Sequence, residues 1–421
     1  MKKLFLILLF LGLITSSCYA ARLYSTGSEL QSVTSAVEWD ATTGSPTIDT
    51  TTKRSGVASL RINIAASAKR IQHQFSATSP IVDHFIRFYL YISTAPSALY
   101  SIASLFDSGA NGSTASVRLN NDRTLELWDD DADVGTPVQV GSDSSALDLN
   151  TWYRIEIAFD YIGASDNTIT AYIDGVQFAT GNDVGISTVV ADQPNRLLIG
   201  SVSSGTADLY FDDIAINNSS DTVQTGLPGA GSIVHIYPDS AGDIDETLET
   251  PNGYLNVDEK PTPDDATSYV QFDADNDDFL VNCEASSVPG IGASDTITLV
   301  QVGYRHTAAS ATAWGFTPKI ESQASGTLLS GTAWTHNDVI WKTNGDVAPR
   351  NYKLTSYVDT QAGGAWTPAL LNTMQIGGTC TDADPDMWLT SLWALVEYVP
   401  SEAPTAVTRF YDSVLYNTTI Y

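Results

Sequence analysis

Stretches in which apolar and polar residues alternate recur along this chain, and the clearest covers residues 152–160. There Ile155, Ile157 and Phe159 fall on one face of an extended chain, with polar or small residues between them. This period of two predicts a β-strand with one buried face. Further along, Asp174-Gly175 is a dipeptide typical of the tight turn of a hairpin. The local pattern therefore predicts antiparallel strands.

The same pattern predicts short strands along most of the chain and no long helix outside the first 20 residues. His84–Ile92 is almost continuously apolar or aromatic, so we expect it in the middle of a sheet. Many short strands at regular spacing favour a sandwich or a barrel. The predicted strands are 59–64, 84–92, 115–119, 124–128, 152–160, 169–173, 196–200, 208–216, 269–272, 296–304, 315–321, 339–341 and 389–398.

A segment rich in Gly, Ser and Thr, with Pro228 among them, interrupts the pattern at residues 219–231. It is too poor in apolar residues to continue a strand, and a chain of 421 residues exceeds the usual size of one domain. We therefore predict an all-β protein with two β-sandwich domains, 21–218 and a smaller antiparallel one at 232–400, joined by a linker. Residues 401–421 contain β-prone runs and are expected to form a C-terminal tail or an edge strand.

Residues 1–20 have the three parts of an export signal: Lys2-Lys3, an apolar run over 4–14, and small residues before Ala21. The apolar run is too short for a membrane anchor, which needs about 20 residues. Cleavage after residue 20 would yield a secreted protein with no integral membrane segment. The alternative is a lipoprotein at the cell surface, acylated at Cys18.

Acidic residues dominate the charge of this chain, which is −29 at pH 7. Such a surface repels nucleic acid and anionic lipid, so neither is an expected partner. The excess of carboxylates serves either solubility or the binding of calcium. Cys283 and Cys380, the cysteines left after signal removal, could pair in an exported protein or remain as buried thiols.

Four motifs of the first domain resemble a concanavalin A-like jelly roll of the laminin G-like kind. The resemblance covers about residues 24–218, and the motifs are Ser55 to Ile62, Thr151 to Glu156, Tyr172 to Gly175 and Tyr210 to Ile214. It implies two curved antiparallel sheets. It also implies recognition of sugars or proteins, often with a structural calcium ion.

The second domain, residues 232–400, resembles a β-sandwich module of structural proteins in tailed bacteriophages. The segments that carry this resemblance are 257–270, 297–302 and 364–378. It implies an exposed component of a virion or appendage, and no enzyme activity comes with it. The six tryptophans of this domain are expected in its core, with subunit contacts as the alternative.

Two adjacent carboxylates, Asp212 and Asp213, occupy the last strand of the first domain. Neighbouring strand residues point to opposite faces, so one of the pair should face the packed side, where an uncompensated charge is costly. A Ca²⁺ ion would offset that cost. The family resemblance makes Glu38, Asp40 and the backbone around 55–56 the source of the other ligands. The alternative is a solvated edge or a turn cap.

The run that starts at Trp128 joins an aromatic side chain to an acidic loop. Flat rings stack on the faces of sugars and carboxylates accept hydrogen bonds from hydroxyl groups, so Trp128, Asp129 and Asp131 are candidate glycan-binding residues. The alternative is a core tryptophan followed by a solvated turn.

Glycosidases need two carboxylates that face one cleft, about 5–5.5 Å apart in retaining enzymes. Glu126, Glu156 and Asp160 are available, but the compact Glu-x-Asp-x-x-Glu run of such enzymes is absent. We therefore expect a non-enzymatic, exported protein that binds carbohydrate or another cell-surface polymer, with a second module for display or assembly. The alternatives are a phage or prophage virion protein that binds host glycans and, third, a polysaccharide-degrading enzyme. Homo-oligomers or virion proteins are further candidate partners.

Overall fold

The computed structural model describes residues 21–401 except 66, 78–81, 108–111, 131–135, 162–166, 183–193, 202–204, 243–252, 266, 273–277, 309–313, 323–327, 337–339, 345–347, 360–362 and 381–386. The predicted export signal and nearly all of the predicted C-terminal tail lie outside these residues. Within them the chain is almost entirely β, which confirms the predicted fold class. No helix in this described part is long and apolar enough to span a membrane.

The first domain contains strands that pair only in antiparallel fashion. They are β1 (Arg22–Thr26), β2 (Ala41–Thr43), β3 (Thr47–Asp49), β4 (Ser59–Ala65), β5 (Lys69–Gln74), β6 (His84–Thr94), β7 (Tyr100–Asp107), β8 (Ser113–Leu119), β9 (Leu125–Asp129), β10 (Val138–Val140), β11 (Trp152–Asp160), β12 (Thr168–Ile173), β13 (Val176–Asn182), β14 (Pro194–Ser201) and β15 (Thr206–Asn218).

These strands form two sheets that enclose one apolar core. The eight-stranded sheet has the order β13-β12-β11-β6-β15-β4-β3, with β1 paired to β15. The seven-stranded sheet has the order β10-β9-β8-β7-β14-β5-β2. The predicted central strand is β6, which pairs with β11 on one side and β15 on the other. Alternate side chains of both sheets, such as Ile157 and Leu127, fill the core between them.

The second domain is a smaller antiparallel sandwich. Its strands are β16 (Ser232–Ile236), β17 (Pro238–Ala241), β18 (Val270–Gln271), β19 (Asp278–Cys283), β20 (Thr296–Ala308), β21 (Trp314–Glu321), β22 (Leu329–Ser330), β23 (Trp334–His336), β24 (Lys342–Thr343), β25 (Thr355–Ser356), β26 (Val358–Asp359), β27 (Gly364–Ala365), β28 (Gln375–Cys380) and β29 (Met387–Val399). A 3₁₀ turn covers Gly253–Asn256, and the short helix α1 covers Pro368–Leu371.

One sheet of this domain has the order β16-β29-β20-β24, with β18 on β29 and β25 on β20. The other has the order β17-β19-β28-β21-β22, with β23 on β21, and β26 and β27 form a separate hairpin. The predicted closing strand is β29. Trp314 and Trp366 pack in the core, as expected for indoles in a sandwich. Cys283 and Cys380 are buried and are not joined to each other by a disulfide.

A buried apolar cluster joins the two domains. Its members come from both sides of the predicted linker: Leu30, Ala215, Ile233, Tyr237, Leu299, Trp393 and Leu395. Because these side chains are almost fully excluded from water, their burial stabilises the contact between the domains.

Beside this cluster, Glu397 of the second domain lies between two arginines of the first. Its Oε2 is 2.9 Å from Arg22 Nη2 and its Oε1 is 2.6 Å from Arg87 Nη1, and all three side chains are at most 2% exposed. Burial raises the pKa of Glu397, but the two guanidinium groups lower it by more than burial raises it. The pKa of Glu397 therefore lies below its usual value. The carboxylate therefore remains charged inside the interface.

The predicted linker is held by hydrogen bonds rather than left loose. The Gly229 amide donates to Glu156 at 2.8 Å, and the Gly229 carbonyl accepts from Arg87 at 3.2 Å. The Gly231 carbonyl accepts from Arg54 at 2.8 Å. These bonds attach the segment to the outer face of the eight-stranded sheet, so the domains are fixed relative to each other.

Two carboxylates, Glu38 and Asp40, line a small cavity between the domains, and their pKa values are shifted in opposite directions. Glu38 accepts a hydrogen bond from the Thr26 hydroxyl, its Oε2 is buried without a partner, and burial raises its pKa to about 8. Burial also raises the pKa of Asp40, but His73 and then Arg350 outweigh it and lower that pKa. The cavity therefore pairs a protonated carboxyl with an ionised one at neutral pH.

Replacing Glu397 with Gln should lower the free energy of unfolding by about 3–5 kcal/mol, because Arg22 and Arg87 would stay buried without a counter-charge. Urea denaturation measures this change. Lys260→Gln is the control, since it removes an ion pair whose lysine is 50% exposed and should cost about 1 kcal/mol or less. An equal effect of the two substitutions would contradict the role of the buried network.

Compared with the wild type, the Glu38→Gln variant should become more stable as the pH rises. The folded-state pKa of about 8 lies above the ordinary value of 4.5, so the stability contributed by the protonated Glu38 is complete below pH 4.5 and is lost towards pH 8. Melting temperatures of wild type and variant should therefore diverge in the variant's favour across this range. Asp40→Asn should act in a lower pH range: because the pKa of Asp40 is lowered from 3.8, the stability it contributes is present above that value, and the destabilisation by the variant should shrink only as the pH falls below it. A constant difference between Glu38→Gln and wild type from pH 4.5 to 8 would contradict the prediction.

Candidate functional site

The outer face of the seven-stranded sheet presents one row of side chains across six strands. Strand pairing places its members side by side: Gln139, Trp128, Ser116, Ser104, Leu198 and Gln72. Because side chains alternate along a strand, they point away from the core that their neighbours fill. Ser104 and Ser116 are nonetheless only 3% and 1% exposed. Longer neighbouring side chains therefore cover these two serines.

Trp128 is held in this row by its neighbours on β8 and β9. Its indole Nε1 donates to Glu126 Oε2 at 2.8 Å, and the guanidinium carbon of Arg118 lies 4.0 Å from the ring centre. Arg118 also donates to Ser116 Oγ at 3.2 Å and forms an ion pair with Asp130. We call these five residues the Trp128 cluster. The result is a half-buried ring that has a fixed orientation and charged groups beside it.

The hairpin between β8 and β9 explains how these residues meet. Asn120 and Thr124 close its turn through a backbone hydrogen bond of 2.9 Å, and Arg123 adopts a φ of 74°, in the left-handed region. The turn sets the register in which Arg118 faces Glu126. Asn120 Nδ2 then donates to Glu126 Oε1 at 2.9 Å and holds this carboxylate in place.

This arrangement can contact a ligand in three ways. The indole offers an apolar face, Arg118 offers N–H donors, and the carboxylates of Glu126 and Asp130, which are 6% and 8% exposed, have more acceptor lone pairs than their present partners use. A sugar ring has both an apolar face of C–H groups and a rim of hydroxyl groups, so it can use all three. The Arg118 cation occupies one face of the Trp128 ring.

Of the predicted glycan-binding residues, only Trp128 lies in this cluster. Asp129 has the same parity as Leu127, so it points inward, and it is 6% exposed. Asp131 lies outside the described residues. Arg118 and Asp130 were not among the residues predicted, although the alternation of β8 and β9 contained the signal that places them beside Trp128.

The predicted metal ligands Asp212 and Asp213 lie at an irregularity of β15, where Asp213 has a φ of 48°. Asp212 accepts from the backbone amides of Arg54 at 2.8 Å and Ser55 at 3.4 Å. Asp213 accepts from the Ser55 hydroxyl, the Arg54 guanidinium and the Ile233 amide. Burial, and then the charge of Asp213, raise the pKa of Asp212 well above its usual value. The pair thus ties the 54–55 loop to the first strand of the second domain.

Glu38 and Asp40 make their hydrogen bonds in the interdomain cavity rather than with this pair. The carboxylate bound to the backbone of the same loop is instead Glu29, which accepts from the Val57 amide at 3.0 Å. Within the described ranges, no group of three or more His, Cys, Asp or Glu residues is arranged to hold a metal ion. The oxygens of Asp213 already face the Arg54 cation, so the residues do not form the predicted ligand set. Calcium stays a prediction.

The sequence model of the concanavalin A-like lectin/glucanase superfamily matches residues 86–230. This match confirms the resemblance of the first domain, and it spans the Trp128 cluster. No curated protein matches the chain in sequence.

Three solved structures illustrate what the fold is similar to. An endo-β-1,4-glucuronan lyase from Trichoderma reesei is 14% identical with a TM-score of 0.37, and the match covers 48% of this chain and 100% of the lyase. A carbohydrate esterase from the Shiga toxin-encoding bacteriophage phi24B is 17% identical with a TM-score of 0.35, and covers 46% and 97%. A Trypanosoma rangeli sialidase is 12% identical with a TM-score of 0.31, and covers 41% and 26%. The match therefore spans about a quarter of the sialidase.

The expectation of a non-enzymatic protein is contradicted by these structures, which include a lyase, an esterase and sialidases. It came from the absence of one carboxylate motif, and such an absence excludes only the enzymes that use that motif. At these identities and TM-scores the likeness concerns the fold alone and assigns neither a reaction nor a residue to this chain. The first domain has a fold found in carbohydrate-active enzymes as well as in lectins.

Proposed function

We propose that this protein is exported and binds a glycan or another cell-surface polymer through the Trp128 cluster. The observation that carries the proposal is the position of Trp128, whose ring is fixed by Glu126 and Arg118 within a row of outward side chains. The match of the surrounding domain to a superfamily of lectins and glucanases supports it. The second domain displays the first or mediates assembly.

In this proposal the apolar face of one sugar unit stacks on the indole, on the side opposite Arg118. Hydroxyl groups of the same sugar donate to Glu126 and Asp130 and accept from Arg118. Charged hydrogen-bonding partners discriminate strongly among ligands, because a ligand that lacks the matching group leaves a desolvated charge unpaired.

Trp128→Ala should weaken binding to the glycans that wild-type protein retains on an array by about tenfold, or ~1.4 kcal/mol, because the stacking surface is lost. Surface plasmon resonance with the strongest array ligand measures the change. Trp128→Phe, which keeps a ring, should lose less. Chromatography of the glycan after incubation shows whether it is also cut.

The control is Trp388→Ala, which removes an indole stacked on Tyr269 in the second domain, with ring centres 4.4 Å apart. This variant should bind as the wild type does. Melting temperatures of all variants exclude unfolding as the cause. Equal binding by folded Trp128→Ala and wild type would refute the proposed site.

A further inference from the structure

The outer face of the eight-stranded sheet also carries a row of side chains that strand pairing places side by side. It lies on the side of the first domain opposite the Trp128 cluster. Strand pairing places five residues side by side on β3, β4, β15, β6 and β11: Thr47, Arg61, Tyr210, Tyr91 and Trp152. Their sequence neighbours Leu60, Phe211 and Leu90 point into the core. Three adjacent strands therefore each contribute one aromatic side chain to the same line.

The three rings support one another. The ring centres of Tyr91 and Trp152 are 5.3 Å apart at an interplanar angle of 48°, and those of Tyr91 and Tyr210 are 5.6 Å apart at 87°. Tyr210 is 6% exposed and meets Tyr91 edge to face, so it braces that ring from the side. Tyr91 and Trp152 are half-buried and more accessible than Tyr210. They form the accessible part of the row.

Polar groups border the rings at both ends. Arg61 donates to both oxygens of Asp208, at 2.9 and 2.8 Å, and the two side chains are 34% and 13% exposed. The Tyr91 hydroxyl donates to Asn150 Oδ1 at 3.2 Å. The bidentate pair fixes the direction of both charged groups, which leaves donors and acceptors at defined positions beside the rings.

The described contacts of the second domain lie on another part of this sheet. The second domain meets the same face through Arg87 and the linker contact of Glu156. Arg87 precedes Tyr91 by four residues on β6, which corresponds to about 13 Å along a strand. In the described part of the chain, the hydrogen bonds and ring contacts of Tyr91, Trp152 and Tyr210 stay within the first domain.

We propose that this row, with Asp208 and Asn150, is a second carbohydrate-binding surface that takes a neutral glycan chain. Rings on adjacent strands repeat at intervals close to the strand spacing of about 4.8 Å, which suits consecutive sugar units lying across the strands. The net charge of −29 disfavours an anionic polymer and, because like charges repel, a second copy of this chain. Arg61, Asp208 and Asn150 supply partners for hydroxyl groups.

Two binding surfaces on opposite faces of one domain would let a single molecule join two glycan chains. Binding to a polymer that offers many sites would then gain from avidity, because the second contact becomes intramolecular. This second surface extends the proposed function, but the proposals for the two surfaces can be confirmed or refuted separately. The distinction can be measured with variants of each face.

The test uses full-length protein in affinity gel electrophoresis with the neutral polysaccharides β-glucan, mannan and xylan, and clustering of beads coated with the same polymers. Tyr91→Ala and Trp152→Ala should each weaken retention about tenfold and abolish clustering, whereas Trp152→Phe should preserve both. The control is Val176→Ala on edge strand β13 of the same sheet, where the side chain is 71% exposed. It should behave as the wild type does.

The outcomes separate the two sites. Loss of retention in folded Tyr91→Ala and Trp152→Ala, with retention kept in Trp128→Ala, would support the second surface independently of the first. Unchanged retention and clustering in both row variants would overturn the second surface, and so would complete loss of retention in Trp128→Ala alone. Failure of the wild-type protein to bind any of the three polysaccharides would overturn the second surface as well.

Discussion

The ionised Glu397 between Arg22 and Arg87 determines how the two sandwiches are arranged. Taking one carboxylate and two guanidinium groups out of water costs several kcal/mol for each ion, and only close opposite charges and further hydrogen bonds offset that cost. Arg22 meets this requirement through Asn217, Ser25 and Gln224 as well as Glu397. These buried ion pairs join β29 to β1 and β6, and so they favour the observed orientation of the two sandwiches.

This orientation decides which surfaces of the first domain can meet a ligand. One end of the outer face of the eight-stranded sheet is covered by the linker and the second domain, through Arg87, Glu156 and Arg54. The other end, with Tyr91 and Trp152, and the outer face of the seven-stranded sheet are left for other contacts. The first sandwich thus has three separate surfaces: the domain interface and the two proposed glycan-binding surfaces.

Much of the fold was predictable because the alternation of apolar residues is a local property. The strands around Ile157 and Ile173, the central position of β6 and the closing strand β29 all followed from that pattern. The glycan site was predictable only in part, because Trp128 lies next to its partners through strand pairing rather than in sequence. Asp129 was assigned to the ligand although its parity with Leu127 points it inward.

The sequence by itself determined the all-β class and the faces of individual strands, since each depends on residues two positions apart. Only the tertiary structure decided that Asp213 binds Arg54 and Ile233 and that Glu38 and Asp40 lie in an interdomain cavity with separate partners. Contacts such as Arg22 with Glu397, 375 residues apart, depend on which faces pack together, and the strand period carries no information about that choice.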